Sequence, residues 1–319
     1  MDVPSAACRV CKSRHFQRII VSKDFNQERS DDSFNYYKCS DCTSIWLNPV
    51  PENLGNYYKQ DYPAYSTKYS TKTERKLQFL DQSKLSILKK YVQSGKLIEI
   101  GPASGRFLML ANQAGFNVLG IEQDAGCVRH ISETLKLNVV CSAKPAVELA
   151  KLSNSYDAIV AWHVVEHLEE LIEFVNAASN AIRERNGVIV LSTPNPESWS
   201  FRLFGRFWVH LDAPRHLSLI PLSALDELMA KHALKRVGVT FNDPVGTQLN
   251  KMAWQHSLMN LSENRQIKRP WLAVIGKLLS LSMAFLDRLP KRGAAYTVAY
   301  QHSVISVDSF EIESSNTRI

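Results

Sequence analysis

The stretch KLIEIGPASGRFLMLANQAGFNVLGIE, from Lys96 to Glu122, decides the fold. Apolar, β-prone residues lead into Glu99, Gly101 and Gly105 punctuate a turn, a helical run covers 107–114, and a second strand over 118–121 closes on Glu122. This is one β-α-β unit with an acidic residue at the end of its second strand. Glycines at such a turn let the backbone approach a ligand closely, and a carboxylate about 20 residues further on can accept hydrogen bonds from ribose hydroxyls. The unit reads as a cradle for a nucleoside cofactor.

The turn itself narrows the choice of cofactor. A dinucleotide fold wants G-x-G-x-x-G, with a pyrophosphate on the helix N-terminus. Here the pattern is Glu99-x-Gly101-x-Ala103-x-Gly105. A carboxylate so close to the turn repels a pyrophosphate but suits a ligand carrying an ammonium and a sulfonium. On these residues the chain resembles the class I S-adenosylmethionine-dependent methyltransferases, whose first motif is E/D-x-G-x-G-x-G; Ala103 stands in place of the middle glycine and narrows the approach without blocking it. The resemblance implies Glu99 near the methionine ammonium, Gly101 and Gly105 along its chain, Glu122 on the ribose, and Gln123 and Ser142 close to the adenine. Trp162 and His163, at the end of a later strand, complete the expected cofactor surroundings.

From Lys96 onward strands and helices alternate. Strands are expected over 97–100, 118–122, 138–141, 156–162 and 188–192, with helices over 107–114, 127–137, 146–151 and 168–185. Short strands separated by helices imply a parallel sheet covered on both faces. A helix over 223–232, a sixth strand over 236–241 and a seventh over 295–300, inserted at the sheet edge, complete an α/β, Rossmann-like, mostly parallel seven-stranded sheet. Ligands bind beyond the carboxyl ends of such strands. Gly101, Glu122, Ser142, Trp162, His163 and the 193–195 turn therefore share one rim.

The densest polar cluster on that rim is AWHVVEHL, 161–168. If a helix begins here, His163, Glu166 and His167 stand at i, i+3 and i+4 and face one side. Two readings stand: the three side chains converge on the substrate, or they cap the adjoining loops and never meet it. After the fifth strand, STPNP (192–196) forms a rigid turn into an insertion over about 194–220 that carries Trp199, Phe201, Phe204, Phe207 and Trp208 and ends in HLDAPRHL (210–217). These aromatics either wall a substrate pocket over the rim or only bury one another.

The strings HVVEHL, STPNP and APRHLSLIPLSAL resemble a subgroup of methyltransferases in which a cysteine-rich ribbon precedes the Rossmann-like domain, often associated with surface-polysaccharide or secondary-metabolite pathways. They are also similar to ubiquinone-pathway O-methyltransferases and to small-RNA 2′-O-methyltransferases, which hold a divalent metal with an E-x-x-E-H cluster. Carried over, Glu166 and His167 match, His216 is the downstream histidine, and His163 replaces the first glutamate. That replacement weakens the case for magnesium and shifts it toward a softer metal or none. Sulfonium methyl transfer needs orientation of two reactants and removal of a proton from the acceptor. A neutral imidazole is a suitable base near pH 7, which makes His163 the first candidate and His216 the second, with Glu166 and His167 orienting the base or binding the acceptor.

Upstream, Cys8-x-x-Cys11 and Cys39-x-x-Cys42 form two knuckles, and four thiolates from two knuckles can close a tetrahedron around a structural zinc. A hairpin absorbs the long gap between them. The expected organisation is a zinc-ribbon-like domain over 1–62, a linker and leading helix over 63–95, and the cofactor-binding domain over 96–307. Cys127 and Cys141 are expected to be buried small hydrophobes. The tyrosine-rich run over 57–62 packs the seam between domains or faces the substrate, and 63–72 reads as a linker or mobile cover. Thr71-x-x-Glu74 reads as a capping box that opens a helix burying Leu77, Leu80, Leu85, Leu88 and Val92.

With 319 residues, 45 % of them hydrophobic, the chain can fill a sizeable core, and its net charge of +7 is scattered rather than blocked. The N-terminus lacks an apolar core segment of the signal-peptide kind, so a cytoplasmic location is expected. The apolar run over about 270–289 carries Lys277 and is too short to span a bilayer; it packs internally or on a second subunit, or lies shallowly at a lipid interface with Lys268, Arg269, Lys291 and Arg292 beside it. The polar tail over 308–319 is expected to be disordered. The expected acceptor is a small, sugar-like metabolite. The alternative is RNA gripped by the ribbon, where Lys12, Arg14, His15, Phe16 and Arg18 form a small basic knot without dense basic-aromatic interleaving.

Overall fold

The computed structural model describes residues 7–58, 65–152, 155–261 and 270–302. Residues 59–62 of the tyrosine run, the start of the 63–72 linker, Lys268, Arg269 and the 308–319 tail lie outside the described residues. In chain order the elements are β1 (Phe16–Ser22), β2 (Phe34–Cys39), β3 (Ile45–Leu47), α1 (Thr71–Leu88), β4 (Gly95–Ile100), α2 (Arg106–Gln113), β5 (Phe116–Glu122), α3 (Ala125–Arg129), β6 (Asn138–Cys141), α4 (Pro145–Ala150), β7 (Ala158–Trp162), α5 (Leu171–Ile182) and β8 (Val188–Pro194). Then follow α6 (Trp199–Phe204), β9 (Ser218–Leu219), α7 (Leu222–Ala230), β10 (Leu234–Thr240), α8 (Pro244–Asn260), α9 (Pro270–Ser282), α10 (Ala284–Asp287) and β11 (Ala295–His302).

The large sheet has seven strands in the order β10-β11-β8-β7-β4-β5-β6. Strands β4 to β8 run parallel, while β11 is antiparallel to both β8 and β10. The expected fold class is thus the observed one, with one correction: the last strand does not sit at the edge but between β8 and β10. Its interior place follows from its side chains. Tyr296 and Tyr300 bury their rings because each hydroxyl finds an acceptor, the Ile220 carbonyl at 2.9 Å and Asp226 at 2.8 Å.

Side chains alternate across the sheet and feed two cores. Leu97, Val118, Val160 and Val190 meet α1 and α2 through Leu85, Leu88, Phe107 and Leu108 on one face. Ile98, Ile121, Ile159 and Ile189 meet α4, α5 and α7 through Leu149, Phe174 and Leu225 on the other. Helix α1 is capped one residue earlier than Thr71, by Ser70, whose hydroxyl accepts from the Thr73 amide; Glu74 instead pairs with Arg106 at 2.6 Å. Cys127 is buried, but Cys141 is exposed, because β6 is the sheet's edge strand and its end faces solvent.

The N-terminal sheet has the order β1-β2-β3-β9, and its last strand comes from the insertion: Ile45 pairs with Leu219 and Trp46 with Ser218. A three-strand meander ending in the short β3 would leave an open edge and an apolar face, and β9 covers that edge. Phe34, Tyr36 and Leu47 of the meander share a core with Phe204, Trp208 and Leu211 of the insertion and Trp254 of α8. The expected ribbon segment and the expected insertion therefore fold together as one layer over the carboxyl ends of the parallel strands.

Candidate functional site

The first strand's turn adopts the left-handed conformations its glycines allow: φ is +64° at Gly101 and +75° at Gly105. A Cβ on Gly101 would lie 2.8 Å from Val164, and one on Gly105 would lie 2.7 Å from Ile131, so both positions need glycine for space as well as for conformation. Ala103, at φ +51°, takes the left-handed region at a cost of about 1–2 kcal/mol. Its amide donates to Oε2 of Glu122 at 2.8 Å, and the Asp124 amide donates to Oε1 at 2.9 Å. Glu122 thereby ties two loops together, and each oxygen keeps a further lone pair. Burial raises its pKa, while the amide hydrogen bonds oppose that shift.

These loops open into a cavity of about 1580 Å³ whose walls include Gly101, Ala103, Glu122, Gln123, Ser142 and Trp162. Pockets for one drug-sized ligand are about 300–1,000 Å³, so there is room for a cofactor and an acceptor together. Gln123 donates to the Tyr65 hydroxyl at 3.3 Å, and burial pushes the Tyr65 phenol up to about 12. Tyr65 is a cavity residue that sequence reasoning missed, because it lies in the polar stretch read as a cover. Two expected cofactor residues, Glu99 and Gly105, are absent from the cavity wall among the described residues. Gly105 caps α2 and packs on Ile131, and Glu99 is buried behind the turn.

Glu99 Oε2 has no hydrogen-bond partner among the described residues, and burial pushes the carboxyl up to about 8 against the opposing charge of Lys84. The unpartnered Glu99 oxygen beneath the turn and the open lone pairs of Glu122 fit a ligand that brings hydrogen-bond donors, an ammonium and ribose hydroxyls. The linkage has a definite sign. The native chain holds a proton on Glu99 that the unfolded chain releases near pH 4.5, so the stability it contributes is full below that pH and is lost as pH rises through about 8. Glu99→Gln cannot ionise, and its melting temperature relative to wild type is expected to rise by several degrees between pH 5 and pH 9. Thermal scans at several pH values without cofactor check this; a difference independent of pH contradicts it.

The other half of the cavity carries the histidines. His163 follows β7 with φ +60°, and its Nδ1 lies 3.6 Å from Glu166 Oε1. The expected helix does not begin here. A 3-10 turn, Val165–His167, brings Glu166 under His163, and α5 starts at Leu171. Glu166 is fully buried, and neither carboxylate oxygen has a hydrogen-bond partner among the described residues. Burial raises its pKa, but His163 beside it, and then His216 and His167, outweigh that and hold the carboxyl down at about 2.

Carbonyl oxygens only accept, which fixes two tautomers. His167 Nδ1 lies 2.9 Å from the Arg215 carbonyl and 2.8 Å from the Tyr58 hydroxyl, while His216 Nδ1 lies 2.8 Å from the His210 carbonyl. Both Nδ1 atoms therefore carry protons, and both Nε2 atoms present lone pairs. The two rings meet edge to face at 4.6 Å, and Glu166, His167 and His216 each offer a ligand atom within 4.8 Å of the others. Burial, then the neighbouring charge of His216, lowers His167 to about 4, which keeps its ring neutral at pH 7. This donor set fits a divalent metal of the softer, imidazole-binding kind.

All four expected catalytic residues, His163, Glu166, His167 and His216, line the cavity, as do Tyr58 and His210. The insertion's aromatics do not: Phe204 and Trp208 are buried in the second-layer core, and the wall takes Val209, His210 and Asp212 instead. Of the two readings for these rings, mutual packing is the observed one. Beneath them lies an ion-pair cluster that sequence reasoning missed. Arg215 donates to Asp24 at 2.7 and 3.2 Å and to Asp212 at 2.7 and 2.9 Å, with Arg215 and Asp24 fully buried.

The cysteine knuckles converge as their spacing predicts. Cys8 Sγ lies 3.5 Å from Cys42 Sγ, Cys11 Sγ lies 3.6 Å from Cys39 Sγ, and all four sulfurs fall within 4.8 Å of one another. Sulfurs bound at about 2.3 Å to a tetrahedral zinc would be separated by nearly the same distances. The cluster lies against the core formed by Trp46 and α5, away from the cavity wall.

A parallel sheet with an inserted antiparallel strand, a glycine turn after its central strand and an acidic residue ending the next defines a Rossmann-like class I S-adenosylmethionine-binding domain. A family model described as a methyltransferase domain matches residues 71–237, and the chain belongs to that family. It is an S-adenosylmethionine-dependent methyltransferase. Among solved structures, a sarcosine dimethylglycine methyltransferase candidate from Galdieria sulphuraria aligns with a TM-score of 0.50 at 12% identity, covering 76% of this chain and 91% of that one. An S-adenosylmethionine-dependent methyltransferase from Archaeoglobus fulgidus aligns with a TM-score of 0.48 at 20% identity, covering 71% of this chain and 94% of that one. Coclaurine N-methyltransferase aligns with a TM-score of 0.46 at 12% identity, covering 74% of each chain. No curated protein matches the chain.

Proposed function

We propose that the chain methylates an oxygen of a small, hydroxyl-rich metabolite, a sugar or polysaccharide precursor, with His163 as the general base. The observation that carries this reading is the His163–Glu166 pair at 3.6 Å in the same cavity as Gly101 and Glu122. When bound, S-adenosylmethionine supplies an electrophilic methyl group. Glu122 and Gln123 would hold its nucleoside, and the ligand's ammonium would favour the ionised form of Glu99, which would balance it from behind the turn. His163, a quarter exposed, takes the proton of the acceptor hydroxyl, and Glu166 behind it stabilises the resulting imidazolium.

The cavity's charges support a small acceptor over RNA. Its wall holds seven carboxylates, Glu28, Asp31, Glu122, Glu166, Glu169, Glu170 and Asp212, against the three cations Lys23, Lys144 and Arg206. Such a lining repels a phosphate backbone, whose recognition requires cations. The test is transfer of labelled methyl from S-adenosylmethionine to a panel of free sugars, nucleotide sugars, quinols and RNA. Base-stable methyl ether formation on a sugar hydroxyl is the expected result; turnover confined to RNA or to amines overturns the reading.

A metal-assisted version has its own support, since the unpartnered Glu166 carboxylate faces two imidazoles whose Nδ1 protons are held by backbone carbonyls. There Glu166, His167 and His216 would hold a divalent ion that acidifies the acceptor hydroxyl. Chelation separates the versions: loss of turnover restored by added metal favours this one. In the N-terminal layer, Cys8, Cys11, Cys39 and Cys42 would hold one structural zinc. Purified protein is expected to carry about one zinc per chain, and Cys39→Ser is expected to lose it and lower the melting temperature.

A further inference from the structure

Helix α9 and the short α10 present an exposed apolar stripe. Trp271, Val274, Leu278, Leu281 and Phe285 recur at helical spacing, and the last four are 60%, 61%, 62% and 64% exposed. Their opposite side is firmly seated. A Cβ on Gly276 would lie 2.7 Å from the Gln255 backbone of α8, and Leu279 and Met283 pack against the core that holds Trp254. Soluble monomers rarely expose more than a few hundred Å² of contiguous apolar surface, so a row of five large side chains needs an occupant.

The charge around the stripe selects that occupant. Among the described residues of 270–302, Lys277, Arg288 and Lys291 are exposed cations, against one acid, Asp287. Asp287 is buried and accepts from Trp254 Nε1 at 2.9 Å, so it offers no exposed negative charge. An apolar strip flanked by cations matches the interface of an anionic bilayer, where acyl chains take the side chains and headgroups take the charges. A second copy of this chain docked on the same strip would oppose like charges. The strip does not span: no helix among the described residues is long and apolar enough to cross a membrane.

We propose that α9 and α10 seat the protein flat on an anionic lipid bilayer. Helix α8 links this face to the site. Leu249, Met252, His256 and Met259 line the cavity, while Gln255 and Leu258 of the same helix meet the α9 layer. The bilayer contact thus lies one helix behind the acceptor end of the cavity, and it stands on the outer surface of α9 independently of the acceptor reading.

The test is co-sedimentation of the full chain with vesicles of phosphatidylcholine alone or with about 30% phosphatidylglycerol. Anionic vesicles are expected to bind at least roughly tenfold more tightly, and the binding is expected to weaken steeply with salt. The pair Leu278→Glu with Phe285→Glu, both exposed and outside the cavity, is expected to weaken binding a further tenfold or more, with S-adenosylhomocysteine affinity unchanged as the check on folding. Wild type that stays in solution with every vesicle, or a variant that binds as well as wild type, overturns the proposal. So does a concentration-dependent dimer that the same pair dissociates, since the strip would then be a self-association face.

Discussion

Arg215→Ala is expected to lower the melting temperature by on the order of 10 °C, the largest stability loss for any single side chain in the second layer. The guanidinium joins Asp24, in the gap between the two cysteine knuckles, to Asp212, in the insertion that crosses the cavity. Removing it leaves two carboxylates without their cation, Asp24 fully buried and Asp212 nearly so. Breaking a buried pair by deleting one partner costs about 3–5 kcal/mol, and here one deletion breaks two. Arg215→Lys keeps the charge but cannot present a planar fork to two carboxylates, so it should fall between alanine and wild type. Asp24→Asn should cost less than Arg215→Ala, because Arg215 retains Asp212. Thermal unfolding of the three variants checks the order; a neutral Arg215→Ala would show that the two layers do not depend on this clamp.

His163→Ala is expected to reduce kcat by about 10²–10⁴ while leaving S-adenosylhomocysteine binding within a few-fold of wild type. The imidazole is partly exposed to the cavity and faces the buried Glu166, so it is placed to act on the acceptor. Glu166→Gln keeps the shape but removes the charge that favours the imidazolium, and should reproduce most of the loss. Because His163 and Glu166 work as one unit, the double variant should be little worse than either single one. Single-turnover rates with an identified acceptor check this. Additive losses, or a His163→Ala enzyme with normal kcat, would move the role of base to His216 or to a metal held by Glu166, His167 and His216.

The sheet was legible because its signals are local. The glycine turn, the carboxylate at Glu122 and the alternation of short apolar strands with helices each lie within a few tens of residues. The rim residues His163 and Glu166 were legible for the same reason, although the helix expected to align them is a 3-10 turn. What escaped depends on distant contacts. Asp24 meets Arg215 across 191 positions of sequence, and nothing local distinguishes it from a solvated acid. Strand β9, two residues long, has no periodicity of its own and exists because β3 needs a partner. Helix α8 went unread: Asp243 caps it and Pro244 opens it, but its weak amphipathicity, with polar residues among Leu249, Met252 and Trp254, hid it. Tyr58 was legible only as part of the tyrosine run over 57–62, and its partner His167 lies 109 positions away.

The central claim is that the glycine turn and Glu122 cradle S-adenosylmethionine. Calorimetric titration of wild type and Glu122→Ala with S-adenosylhomocysteine tests it most directly. The expected result is micromolar binding to wild type, weakened at least tenfold, about 1.4 kcal/mol, by the substitution, since the carboxylate both positions the Ala103 amide and lines the cavity. Wild type that gives no binding heat at any temperature tried, with no thermal stabilisation by saturating ligand, would contradict the claim.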